Sequence, residues 1–178
     1  MTALHVFGEL DDDRRHSILA VVDASGGMDV RRLKEARSST PFPKSTDLEL
    51  ALVPTLDKLG FEHHVRMKHP RTGGGFEYDF WRGNDRLAME IMGYRADDEV
   101  YKDILKFHVH DQTDVGVVWV PRWKWISGRR TETNYRATMK ALAFADSYMS
   151  VRALVALVYD WDDTDSDGVW SLKFVPAS

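Results

Sequence analysis

The sequence predicts a single α/β domain over residues 1–178, built as a mixed sheet flanked by helices. Three observations predict it. Residues 75–92 (GFEYDFWRGNDRLAMEIM) read as two strands joined by a tight turn at Gly83-Asn84-Asp85. Residues 115–120 (VGVVWV) form a β-branched run short enough to be a buried central strand. Between them, residues 99–108 carry Val100, Ile104, Leu105 and Phe107 at helical spacing. A strand, a helix and a strand in this order make a right-handed parallel crossover packed on the hairpin sheet.

Composition sets the outer bounds. With 43% hydrophobic residues among 178, the chain buries a sizeable core. No apolar run approaches the roughly twenty residues that span a bilayer, and the opening MTALHVFGELDDD lacks a basic region followed by an apolar one. A soluble, cytoplasmic protein without membrane contact is expected. The absence of cysteine excludes disulfides and thiolate zinc sites. A net charge of -4 and a pI near 6.0 give no global attraction to nucleic acid, so any such binding needs a local basic surface.

The first 44 residues read as a helical segment. Asp11 to Asp13 open a helix through Arg14, His16, Ile18, Leu19 and Val22, which Gly26-Gly27 ends, and residues 29–36 (DVRRLKEA) suggest a further helical turn or two. Pro41 and Pro43 mark a loop. Residues 47–59 are a clearer helix, with Leu48, Ala51, Leu52, Leu56 and Leu59 on one face, Pro54 within it and Gly60 as its stop. Glu49 has two readings: it closes a capping box with Thr46, or it faces the hairpin as a third acid. Residues 61–69 are a strand. His63 and His64, being adjacent, should point to opposite faces and so cannot share an ion.

Within the hairpin, Asp79 and Glu90 sit on neighbouring strands, and imperfect alternation places the second strand centrally. Ionised carboxylates in a sheet interior are costly unless they meet a cation, so the pair is either a metal site or two surface acids flanking a turn. His108, His110 and Asp111, at a helix end, read as exposed polar caps. Beyond the central strand, Arg122, Lys124, Arg129 and Arg130 alternate with Trp123 and Trp125 in a loop with Ser127, Gly128 and Thr131. Basic groups neutralise phosphates and such loops reach base edges, which favours nucleic acid over a merely solvated loop. A helix over residues 133–149 and strands over 151–159 and 169–175 follow, joined by the acidic turn 160–167.

This order of elements, with YDF, RLAMEIMGY, KDILKF, VGVVWV, SGRRTETNY, RATMKALAFADSY and VRALVALV at their spacings, resembles the PD-(D/E)XK nuclease core. More narrowly, it looks like type II restriction endonucleases of the BglII, BstYI and BamHI type. The resemblance runs from about Phe76 to Asp160 and implies a restriction-endonuclease-like domain: an N-terminal helical segment at 1–44, a catalytic core at 45–160 and a C-terminal strand at 161–178. It implies that Asp79, Glu90 and the carbonyl of Ile91 hold Mg2+, for which Mn2+ can substitute, with Glu49 as a further catalytic acid. Met92 stands where the motif has Lys; Gln, found there in the BglII group, orders the attacking water and Met cannot. Glu49 or a nearby lysine such as Lys102 then compensates, or the chain is a weakly active or non-catalytic DNA-binding module. The resemblance further implies double-stranded DNA cut at a short palindrome, a homodimer, and groove contacts by Gly93, Tyr94, Arg95, Arg122, Lys124, Ser127, Arg129, Arg130 and Thr131.

Overall fold

The computed structural model describes residues 3–32, 41–68, 73–93, 97–126, 129–163 and 168–177. In chain order the elements are β1 (Leu4–Gly8), α1 (Asp12–Ser25), β2 (Asp29–Arg31), α2 (Ser45–Lys58), β3 (Glu62–Lys68), β4 (Gly75–Arg82), β5 (Leu87–Ile91), α3 (Asp97–Val109), β6 (Val115–Pro121), β7 (Lys124–Ile126), β8 (Arg129–Thr131), α4 (Thr133–Asp146), β9 (Ala153–Asp163) and β10 (Val169–Phe174). Among the described residues the main sheet has eight strands in the order β2-β10-β9-β6-β5-β4-β3, with β1 beside β9. The strands β5, β6 and β9 run parallel at its centre; the remaining pairings are antiparallel.

Period-two alternation sorts the central strands into two cores. Leu87, Met89, Val115, Val117, Trp119, Val155 and Leu157 face Ile18 and Val21 of α1 and Leu48, Leu52 and Leu56 of α2. Ala88, Val118, Val120, Leu154, Ala156 and Val158 face Val100, Ile104 and Phe107 of α3 and Leu142 of α4. Burial on both faces is why β6 reads as a continuous apolar run. Gly116 lets α3 approach: a Cβ there would lie 2.4 Å from the Phe107 ring. Among the described residues no helix is long and apolar enough to cross a membrane.

Several local expectations are corrected. Residues 29–31 form a strand, because Val30 is buried and pairs with Trp170 while its neighbours face outward. The unpredicted β1 fills the sheet beside the first half of β9, whose second half pairs with β10. Asp47, not Glu49, reaches back at the start of α2: the Lys44 amide donates to Asp47 Oδ2 at 2.8 Å. The helix passes through Pro54, and Gly60 follows its end with φ +81, a left-handed stop. Residues 124–126 and 129–131 pair as the antiparallel strands β7 and β8 rather than lying in an open loop. His110 is buried, 3.2 Å from Thr113 Oγ1 and edge-on to Tyr78 and Trp81, so it belongs to the core instead of capping α3 in solvent.

Candidate functional site

The hairpin of β4 and β5 is closed by Arg82, whose guanidinium donates to both Asp85 carboxylate oxygens, and is tied to α1 through Arg14 Nε donating to Asp85 O at 2.8 Å. Its ladder runs from Arg82 to Phe80 and stops at Asp79. There the Asp79 carboxylate takes over: the Ile91 amide donates to Asp79 Oδ2 at 2.6 Å. On the other side of β4 the register pairs His63 with Phe80 and Val65 with Tyr78, passing over His64 and Asp79. The break changes the strand's facing, since Tyr78 packs toward α3 and Phe80 toward α2. Asp79 therefore sits where the sheet opens.

A cleft of about 390 Å³ lies at this break, lined by Glu49, Asp79, Glu90, Ile91, Lys102, Asp103 and Lys106 among others. Four carboxylates face two ammonium groups. Glu90 is 2% exposed; its Oε2 accepts from Lys106 Nζ at 2.7 Å, while Oε1 is buried without a hydrogen-bond partner. Burial, reinforced by the Asp79 charge, holds the Glu90 carboxyl well above its ordinary range. Burial raises Asp79 to about 6 against the pull of the Ile91 amide, and Glu49 adds repulsion. Lys106 also lies 3.2 Å from Asp103; burial works against its charge, but Glu90 and Asp103 prevail and raise its pKa. Converging acids, one with an orphaned buried oxygen, are a donor set that suits a hard divalent cation.

Met92, two residues past Glu90, turns away from the cleft. It is 5% exposed, its sulfur accepts from Thr138 Oγ1 at 3.9 Å, and it packs with Val100 and Ile104 in the α3/α4 core. The lysine nearest Glu90 is Lys106, one turn beyond the Lys102 that sequence reasoning singled out. The Lys102-x-x-x-Lys106 spacing on one helix face was the signal for it.

Glu49 stands one wall away with the two histidines. Glu49 Oε1 contacts His63 Nε2 at 2.8 Å and His64 Nε2 at 2.5 Å. The expectation that His63 and His64 face apart fails because His64 adopts φ +55, which swings its ring to 4.0 Å from that of His63. The bond to Glu49 raises the His64 pKa.

The basic segment emerges at the same end of the sheet, since Ile91 is in register with Trp119 and Arg122 follows three residues later. Arg122 is engaged within the fold, 2.6 Å from Glu132 and stacked at 4.3 Å over Tyr135. Lys124 lies on β7; Arg129 and Arg130 are exposed on β8 with Thr131 after them. Arg130 stacks over Phe42 at 5.0 Å and Trp123 at 5.6 Å, 3.4 Å from Asp160. With Trp123, Glu132, Arg136 and Lys140 it lines a groove of about 730 Å³. Sequence reading missed Arg136 and Lys140, which are one turn apart on α4. Tyr94, Arg95 and Ser127 lie outside the described residues.

With this geometry in hand, the chain is similar to the crystal structure of restriction endonuclease BglII complexed with a DNA 16-mer. The TM-score is 0.58, with 11% identity over 93% of this chain and 79% of that one, so the likeness establishes the fold. No curated protein matches the sequence. Residues 16–159 match the family described as "Putative halobacteria restriction endonuclease". Matched over most of its length, the chain belongs to the family so described.

Proposed function

We propose that the protein is a Mg2+-dependent type II restriction endonuclease that hydrolyses phosphodiesters of double-stranded DNA at a short palindrome, acting as a homodimer in the cytoplasm. The cleft carries this reading: Asp79, Glu90 and Glu49 converge beside Lys106 at a break in the sheet. Asp79, Glu90 and the Ile91 carbonyl would hold the cation. When bound, it neutralises charge on the scissile phosphate and acidifies a water for in-line attack. The protein does the rest. The Ile91 amide orients Asp79, and burial keeps Glu90 from being solvated in the cation's place. Lys106 takes the role of the motif lysine, ordering the attacking water and balancing charge on the phosphate.

DNA as the partner is supported by the basic, aromatic surface at the same end of the sheet. On this reading Arg130, Arg136 and Lys140, which line the groove, and Arg129 on β8 would meet phosphates or guanine edges. Arg122 instead braces the hairpin against α4. Plasmid cleavage with Mg2+ tests the reading. Asp79→Ala and Glu90→Ala should abolish cutting, Lys106→Ala should lower its rate by on the order of 100-fold, and Lys102→Ala should cost less. Cutting that survives both acid substitutions removes the site. An intact protein that binds duplexes of many sequences but cuts none is a DNA-binding module instead.

A further inference from the structure

On the Glu49 wall of the acidic cleft, one cluster brings imidazoles and a carboxylate to a point. We propose that Glu49, His63 and His64 form a second, chemically different metal site, for a first-row transition ion such as Zn2+ or Co2+ rather than Mg2+. One ligand atom from each residue lies within 4.8 Å of the other two, and an ion entering among them would replace the two hydrogen bonds to Glu49 Oε1, the nitrogens drawing slightly apart from that oxygen. Two imidazole nitrogens and one carboxylate oxygen are the donors that borderline ions prefer, whereas Mg2+ selects oxygen. Three protein ligands leave a position open, as in zinc sites that act on substrate.

Two independent features point the same way. The first is backbone: His64 is a non-glycine residue in the left-handed region, a strained conformation that brings two adjacent strand histidines to one side. The second is the outer shell. His64 presents Nε2 to Glu49 and turns Nδ1 to Glu77 Oε1 at 3.3 Å, the carboxylate–histidine arrangement that fixes a ligating ring. His63 is held on its other side by stacking on Phe80, with centroids 5.0 Å apart. Glu49 also lines the acidic cleft, so an ion here would tether α2 to β3 and set that carboxylate beside Asp79. The site does not depend on the nuclease reading.

Titration of tag-free protein with Co2+ alone, followed by its visible absorption, tests this without reference to cleavage. One Co2+ should bind with the intense band of a four- or five-coordinate ion. His63→Gln and His64→Asn should each weaken binding at least tenfold; Asn suits a left-handed backbone, and the His64 side chain is half-exposed, so the fold survives. The double variant Asp79→Asn/Glu90→Gln should keep the band. The proposal is overturned if the wild-type protein binds no stoichiometric Co2+, if the histidine variants bind as well as wild type, or if the band vanishes with the cleft acids.

Discussion

Asp79 and Glu90 are kept in a state that weakens the fold. Asp79 titrates at about 6 instead of its ordinary 3.8, so the folded chain holds this proton more tightly than the unfolded chain does. The resulting stability is fully present below about pH 3.8 and is lost as pH rises through about 6. At pH 8 without metal, the buried charges oppose folding. Asp79→Asn, which can still accept from the Ile91 amide, should therefore stabilise the metal-free protein at pH 8 by about 1–3 kcal/mol while abolishing cleavage. At pH 4 the gain should shrink toward zero in thermal melts. An equal gain at both values contradicts the assignment.

Met92 behaves differently from what its place in the motif suggests. Because its side chain lies among Val100, Ile104 and Thr138, restoring the motif with Met92→Lys would bury an unpaired ammonium. Denaturant unfolding should show a loss of about 3 kcal/mol or more, against less than about 1.5 kcal/mol for Met92→Leu. Wild-type stability in the Met92→Lys protein would mean that the position opens on the cleft after all.

Among the elements, α3 matters most to the site, since it supplies Lys102, Asp103 and Lys106 and is seated by Phe107 over Gly116. Gly116→Ala would place a methyl inside the Phe107 ring contact and lift the helix from β6. A stability loss of about 1–3 kcal/mol is expected, with part of it recovered in Gly116→Ala/Phe107→Leu. Independent, additive effects of the two substitutions would show that the contact is not shared. The β4–β5 hairpin is the other decisive element, because its pairing ends where Asp79 replaces a ladder bond.

For the whole molecule, the three layers place the acidic cleft and the basic hairpin groove at the carboxyl ends of the parallel strands. On the proposed reading, one cleft would cut one strand of a duplex. Cleavage of both strands at a palindrome therefore calls for two copies related by the duplex's two-fold axis. Light scattering of the protein on a cleavable palindromic duplex with Ca2+ should give two chains per duplex; one chain per duplex at saturation would rule out the symmetric dimer.

Read alone, the sequence determined the central elements and the two acids they carry. The hairpin acids, the central strand, the crossover and the helix carrying Glu49 follow from short-range patterns: alternation, helical spacing and glycine stops. The strands at residues 4–8 and 29–31 were illegible because each exists only by pairing with a distant partner, β9 or β10. Only the tertiary structure decided which lysine meets Glu90, since Lys106 is set there by the packing of α3 on the sheet. Tertiary structure likewise decided that Asp47 frees Glu49 from capping, and that a left-handed His64 joins His63 in reaching it. A side chain's partners across the fold depend on backbone angles and helix placement, which local residue patterns do not encode.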